Sequence, residues 1–537
     1  MKKLSLLFLT LISACTANPA TGGYNFSLVS KSEERAIGES AASFALKTDG
    51  LYRPASETTR YVLDLCNRMY AVTEAAAEPV QCNVVDSDVF NAYATPGYMF
   101  VNRGLLAYLS SEAELAGVLG HESGHLTGRH IANAHTKAKV ASILATSAAV
   151  AVAATTQDDL ATQAAISGAG VASGIAISAY GRSQETEADA LGQRYLEKAG
   201  YDPREMVNVV RAMKGFGEYR AQQNAAFNNG EIAPTSLLSK LNSSHPATSD
   251  RLAAAIALKG EPPVLKPEDD AGRRRYMAAI EGMVFGPARR NGIARKSELV
   301  LPAQRVVIPL PEGVTVNFVG SGVPDTFGTW LIGHPQSGAY VKVDVVKIPA
   351  GKNPGTLLKT ILPNAAKDVQ RVQVGTGKLL PSSTTDEQVE EALNQHSLNG
   401  LETESLTPTT IGYTTVTRKM FDDKRARFFA FAAPAAVNQM LVLKLVYPNE
   451  EVMAREDGNL MSILRNVQFL TKTQALKYKP LQIHTFTAAL GETVANRAAK
   501  LPVGALQENL FRAMNNLPAG TDLTPGQLYK TVIDLNP

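Results

Sequence analysis

From about Glu33 to Leu258 apolar residues recur at helical spacing, and only Val84 to Val101 breaks into a strand-like pattern. The pattern predicts a helix-rich domain over 33–260 that carries a small β-sheet. A helix over Arg60–Val72 and a strand over Val80–Val85 stand near its start. Ser111-Glu112-Ala113-Glu114 is a capping-box pattern ahead of Leu115, Val118 and Leu119, so a helix starts there and runs through about His130. Another helix begins in Gly181-Arg182-Ser183-Gln184-Glu185 and ends at Gly200. Pro262-Pro263, Lys266-Pro267 and the basic stretch Arg289–Lys296 mark 261–300 as a linker with one short helix. From Gln304 onward, Arg305–Leu310, Val314–Val319, Tyr340–Ile348, Tyr413–Arg418, Arg427–Phe431 and Met440–Tyr447 read as strands. With helices at Glu387–Gln395 and Met461–Phe469, they predict an α+β domain over 301–475. A last α/β unit, 481–537, reads strand, Gly491-Glu492-Thr493, helix, Thr524-Pro525-Gly526, strand.

The N-terminus has another pattern. Met1-Lys2-Lys3 and the apolar run Leu4–Ile12 have the form of a signal peptide, 1–14, too short to span a bilayer. Ile12-Ser13-Ala14-Cys15 resembles a lipobox, in which Cys15 is diacylated and becomes the new N-terminus. More than one acyl chain, at about 0.8 kcal/mol per buried methylene, anchors stably. Thr16, where lipoproteins kept in the inner membrane usually carry Asp, points the anchor to the periplasmic face of the outer membrane, with 15–32 as a tether. The alternative is a secreted chain whose Cys15 is discarded. Val140–Thr156 and Ala161–Tyr180 are uncharged but consist mostly of Ala, Ser, Gly and Thr. They read as small-residue helices packing in a soluble domain rather than as membrane spans.

The 537 residues are 45% hydrophobic and 19% charged, an ordinary globular balance, and their length suits several domains. A net charge of +3 leaves no surplus for a phosphate backbone, which argues against nucleic acid. Three cysteines are too few for a cysteine-based zinc module, so a metal would use His and carboxylate. Without Cys15, Cys66 and Cys82 remain as a pair in an oxidising compartment, either bonded to each other or two buried thiols.

His121-Glu122-Ser123-Gly124-His125 falls inside the capped helix. Histidines four apart project from one face at adjacent turns and can share one zinc ion, and Glu122 can reach a water on that metal. A catalytic zinc needs a third protein ligand. Ile131 stands where a metzincin would carry its third histidine, and His130 lies off the His121/His125 face. Glu185 and Asp189 share a helix face. One can ligate while the other accepts the second ring N–H of a ligand histidine; Glu187, about 200° around from Glu185, reads as a solvated charge.

HESGH, GRSQETEAD and Ser244-His245-Pro246-Ala247-Thr248-Ser249-Asp250-Arg251 together resemble the HtpX and CAAX-prenyl-protease gluzincins, especially their periplasmic BepA-like branch. Asn91-Ala92-Tyr93-Ala94-Thr95-Pro96-Gly97 is similar to the family's strand beside the active site, departing from it at Tyr98, where a second glycine is usual. The resemblance implies a zincin fold with one zinc on His121, His125 and Glu185. It also implies Glu122 as base, Asp189 orienting, and His245 and Arg251 beside the site. His245 would be either a displaceable extra ligand or an oxyanion stabiliser. Asn91, Ala92, Tyr93 and Ala94 would pair with an extended substrate, a mode that suits unfolded protein. Residues 481–537 are LysM-like in Gly-Glu-Thr, Asn515-Asn516-Leu517 and Thr-Pro-Gly, which implies peptidoglycan as a partner or a purely structural cap. The leading expectation is a zinc endopeptidase acting on misfolded or stalled envelope proteins. The alternatives are an assembly factor of the outer-membrane machinery that binds such clients and cleaves rarely, and a peptidoglycan-associated protein.

Overall fold

The computed structural model describes residues 27–140, 180–225, 245, 249–320, 328–333, 337–347 and 439–536, with shorter pieces at 15–17, 20, 22, 24–26, 369–373, 378–379, 383, 388, 411–415, 418–419 and 425–432. The signal run Leu4–Ile12, nearly all of Val140–Thr156 and Ala161–Tyr180, and all but one residue of the expected helix Glu387–Gln395 lie outside the described residues. Among the described residues no helix is long and apolar enough to cross a membrane. The chain divides into two compact units, Met1–Lys214 with Lys240–Ala279, and Gly215–Ser239 with Ile280–Pro537.

In the first unit, β1 (Cys15–Ala17) pairs antiparallel with β2 (Tyr24–Phe26). The helix Lys31–Thr48 starts at a capping box between Ser30 and Glu33, and Glu57–Ala71 is capped by Ser56. The strand-like stretch resolves into three strands: β3 (Gln81–Val85) runs parallel to the central β5 (Tyr98–Asn102), and β4 (Ala92–Thr95) forms an antiparallel edge. Gly97 turns the chain between β4 and β5 at φ +84°, a left-handed conformation that glycine adopts without steric cost. Cys66 and Cys82 are joined, with Cα atoms 6.4 Å apart, tying the Glu57–Ala71 helix to β3. On the chain-entropy account a link of this loop length contributes about 3 kcal/mol.

The motif helix, Glu112–Thr127, is capped by Ser111. It stops short of the expected His130, because Gly128 and Arg129 form a turn before helical structure resumes at residue 130. It lies against the facing helix, Arg182–Lys198, through small residues. A Cβ on Gly120 would meet the Gly192 carbonyl oxygen at 3.2 Å, and one on Gly124 would meet Ala188 Cα at 3.1 Å. The start of the motif helix is pinned by Glu112, which accepts from Tyr61 (2.8 Å), Tyr201 (2.9 Å) and both ends of the Arg275 guanidinium (2.7 and 3.0 Å). Burial would raise the Glu112 pKa, but Arg275 and the two phenols outweigh it and hold the carboxyl at about 2. Arg275 belongs to the helix Ala271–Ile280, which falls in the stretch read as a linker.

The second unit is built on a nine-stranded antiparallel sheet running β13-β12-β14-β16-β17-β11-β10-β9, with β15 paired to β16. Its members are β9 (Thr315–Val319), β10 (Thr329–Gly333), β11 (Tyr340–Lys347), β12 (Val369–Gln373), β13 (Lys378–Leu379), β14 (Ile411–Thr415), β15 (Arg418–Lys419), β16 (Arg425–Ala432) and β17 (Gln439–Tyr447). A four-stranded sheet, β18-β8-β7-β6, comprises β6 (Ile293–Ala294), β7 (Glu298–Leu301), β8 (Val306–Pro309) and β18 (Gln468–Phe469). The expected helix Met461–Phe469 instead spans Glu450–Arg465, and Gln468–Phe469 pair with β8. The last two residues of the expected segment are drawn into the sheet. The C-terminal unit runs β19 (Gln482–Thr487), helices Val494–Ala498 and Gln507–Met514, then β20 (Leu528–Ile533) antiparallel to β19. It has two helices where the pattern predicts one.

Candidate metal centre

His121 and His125 lie on one face of the motif helix, and the close helix crossing brings Glu185 and Asp189 of the facing helix against them. All four are buried. His121 Nε2 lies 3.0 Å from His125 Nε2 and 3.2 Å from His245 Nδ1. Glu185 Oε1 lies 3.5 Å from His125 Nε2 and 3.0 Å from His245 Nδ1, and Glu185 Oε2 lies 3.6 Å from His121 Nε2. One donor atom from each of His121, His125, Glu185 and His245 falls within 4.8 Å of every other.

The outer atoms of these side chains account for their orientation. His121 Nδ1 lies 2.9 Å from Asp189 Oδ1, and that carboxylate also accepts Arg251 Nε at 2.8 Å and Nη2 at 2.7 Å. A proton on His121 Nδ1 leaves a lone pair on Nε2 facing His125 Nε2. Arg251 Nη1 also contacts Glu185 Oε2 at 3.0 Å. His125 Nδ1 faces His130 Nδ1 at 2.7 Å, and in the tautomer where His125 donates to His130 its Nε2 presents a second lone pair. Nitrogen lone pairs and a carboxylate converging in a buried space call for a cation between them. A tetrahedral zinc with bonds of about 2.0 to 2.1 Å separates its ligand atoms by roughly 3.3 Å, and the observed spacing matches. The residues fit zinc.

Glu122 is buried beside this cluster. Burial raises its pKa, the effect is partly opposed by His245 and His121, and the Ala94 backbone N–H donates to its carboxylate. Its Oε2 and the Nε2 of His245 are buried without a hydrogen-bond partner. Burial alone would raise the Glu185 and Asp189 carboxyls. For Glu185, His245, His121 and Arg251 overcome that effect and lower the carboxyl, and for Asp189, Arg251 and His121 hold it well below the usual range.

Asn91, Ala92 and Ala94 are buried and Tyr93 is partly so, with Ala92 to Ala94 on the edge strand β4. Apart from His245, residues 244–248 of the Ser244–Arg251 motif lie outside the described residues. Three neighbours of the site escaped the sequence pattern. Tyr180 stacks on His125 with ring centroids 3.8 Å apart. His130 contacts His125, contrary to the expectation of a face pointing elsewhere, which assumed an unbroken helix. Glu187, read as a solvated charge, brings Oε2 to 3.5 Å from His130 Nε2.

Residues 56–259 match the sequence profile of Peptidase family M48. The chain is 27% identical over 223 residues to a beta-barrel assembly-enhancing protease of Yersinia pestis, covering 41% of this chain and 42% of that protein. It is 25% identical over 166 residues to the protein of that name in Escherichia coli K12, covering 30% and 34% of the two chains. To the mitochondrial metalloendopeptidase OMA1 of Arabidopsis thaliana it is 34% identical over 135 residues, 25% and 26% of the two. The matched region therefore spans less than half of each of these relatives. Together with the buried His-His-Glu-His group, the matches show an M48 zinc metallopeptidase domain in this chain.

Proposed function

We propose that this chain is a zinc endopeptidase of the bacterial envelope, held at the periplasmic face of the outer membrane through Cys15, that hydrolyses misfolded or stalled envelope proteins. The observation carrying the chemistry is the buried set of four converging donors with the unpartnered Glu122 oxygen beside it. The names of the Yersinia and Escherichia relatives, beta-barrel assembly-enhancing proteases, support clients and partners in β-barrel assembly.

When bound, zinc would polarise the scissile carbonyl and acidify a water molecule. His121, His125 and Glu185 would hold it, with Asp189 and Arg251 fixing His121. Glu122, its pKa raised by burial, takes a proton from the attacking water and delivers it to the leaving amine. An extended substrate lies along β4, which reads backbone rather than sequence and so suits unfolded chains. His245 Nδ1 lies 3.2 Å from His121 Nε2 and 3.0 Å from Glu185 Oε1, so it would be a fourth donor where a hydrolytic zinc needs a position for water. This favours His245 as a displaceable ligand over an oxyanion stabiliser.

Chelator treatment of the purified chain is expected to abolish cleavage of an unfolded β-barrel polypeptide, and one equivalent of zinc to restore it. Cleavage indifferent to chelation would overturn the assignment. In the same assay His245→Ala should cleave faster while holding zinc less tightly; slower cleavage would instead make His245 an oxyanion stabiliser.

Location is tested on the full chain. Cys15→Ala should leave an unlipidated precursor that no longer fractionates as a mature lipoprotein, read by detergent-phase partitioning and mass spectrometry of the N-terminus, and deleting 481–537 should abolish co-sedimentation with peptidoglycan if that LysM-like unit binds it. The strand–helix–helix–strand order of 481–537 supports that role. A mature wild-type chain that starts beyond Thr16 without acyl groups would remove the anchor from the proposal.

A further inference from the structure

His121 and His125 are supported by different means. His121 reaches a buried carboxylate directly, through Asp189. His125 Nδ1 meets a second imidazole, that of His130, at 2.7 Å. Two facing ring nitrogens at that distance form a hydrogen bond only if one carries a proton and the other a lone pair. With its Nε2 among the metal donors, His125 must carry its proton on Nδ1. His130 Nδ1 is then the acceptor, and the His130 proton sits on Nε2. That nitrogen is buried, makes no hydrogen bond, and has the Glu187 Oε2 atom 3.5 Å away. The Glu187 side chain is 35% exposed, so a small rotation can close the gap.

The local backbone is built around this contact. On an unbroken helix a residue five positions beyond His125 would lie about 140° around the axis and could not meet it. The motif helix ends instead at Thr127, and Arg129 takes a left-handed φ of 54°, which costs a non-glycine residue about 1 kcal/mol or more. The Arg129 guanidinium is held there by Glu34 Oε1, at 3.0 Å from Nε and 2.6 Å from Nη2, both side chains only 10% exposed. Gly128 has an ordinary φ of −74°, yet a Cβ on it would lie 2.5 Å from His130 Nε2. Space for the His130 ring, not backbone freedom, requires glycine there. Gln184, one turn before Glu187, donates to the His130 carbonyl at 3.4 Å, so the same facing helix holds both ends of His130.

We propose that His130 and Glu187 form a positioning relay for the metal ligand His125, in which His125 Nδ1–H donates to His130 Nδ1 and His130 Nε2–H donates to Glu187. The inference rests on the zinc-site reading above. Its physical advantage is the placement of charge. Glu122, Glu185 and Asp189 already bury three carboxylates around the site, and a fourth against His125 would carry a heavy desolvation cost. The interposed imidazole lets a partly solvated carboxylate fix the tautomer of His125 and increase its basicity from one ring further out.

Zinc affinity of the full chain, measured by chelator competition, tests the relay together with the d–d absorption of the cobalt-loaded protein and the melting temperature of the metal-free protein. His130→Ala should weaken zinc binding by about 10- to 100-fold. His130→Gln, whose amide can accept and donate in turn, should restore most of the loss. Glu187→Gln should weaken binding by a smaller factor and shift the cobalt spectrum, without moving the melting temperature of the metal-free chain. In the His130→Ala background Glu187→Gln should do nothing further, because Glu187 acts only through His130. If His130→Ala does not fold, the half-exposed Glu187→Gln carries the test. Wild-type zinc affinity and cobalt spectrum in Glu187→Gln, or effects of the two substitutions that multiply in full, would overturn the relay while leaving the zinc site standing. A wild-type chain that binds no zinc would overturn both.

Discussion

Glu122→Gln is expected to lower hydrolysis of an unfolded polypeptide by about 10²- to 10⁴-fold, with zinc content and melting temperature close to wild type. The amide fills the same space and can still accept from the Ala94 N–H, and it leaves His121, His125 and Glu185 untouched. It cannot take a proton from water. No other acidic residue follows a donor histidine directly in the motif, and the other two carboxylates of the site are engaged, Glu185 in the donor set and Asp189 with His121 and Arg251. Cleavage by the variant at the wild-type rate would remove Glu122 as the base. The same variant separates the two biological readings. If it fails to rescue envelope defects in a deletion strain while retaining zinc, hydrolysis is the function. Full rescue by an inactive chain would establish an assembly factor that binds its clients and releases them intact.

Glu185→Ala should act differently, by costing the protein its metal. It removes a donor atom rather than a supporting contact, so the loss of zinc affinity should exceed the about 10- to 100-fold typical of outer-shell changes, and cleavage should fall with zinc occupancy. The substitution also takes a carboxylate partner from Arg251, whose contacts with Asp189 remain. A Glu185→Gln variant controls for cavity formation, since it keeps the volume and loses the charge. Full zinc stoichiometry at micromolar metal in both variants would show that Glu185 is not a ligand.

Much of the site could be read from the chain because its parts obey helical spacing. His121 and His125, like Glu185 and Asp189, are four apart, which places each pair on one face before any tertiary contact is known. The close crossing of their helices was not legible, since glycines at 120, 124 and 192 carry no hydrophobic signal. His245 could be named only through family resemblance: a lone histidine before a proline has no periodicity to announce it. A helical period carried through Gly128 and Arg129 puts His130 on the wrong face, because there an ion pair from Glu34, 95 positions earlier, holds Arg129 where the backbone turns. The strand β10 passed unnoticed for a related reason. Its Trp330-Leu331-Ile332 run is buried throughout and therefore lacks the alternation that marks a half-exposed strand. The helix Glu450–Arg465 opens with a charged stretch, Glu450 to Asp457, which hid its first turns.

The glycine-lined crossing of the motif and facing helices has a consequence for how this centre can fail. Where donor spacing depends on long side chains reaching across a gap, thermal agitation can scatter the ligands while the scaffold stays folded. Here the gauge is one main chain resting on another, Gly120 on Gly192 and Gly124 on Ala188. The dimensions of the donor cage are therefore those of the helix pair. Separating the two helices would part His121 and His125 from Glu185, so loss of the donor cage should coincide with melting of the first unit.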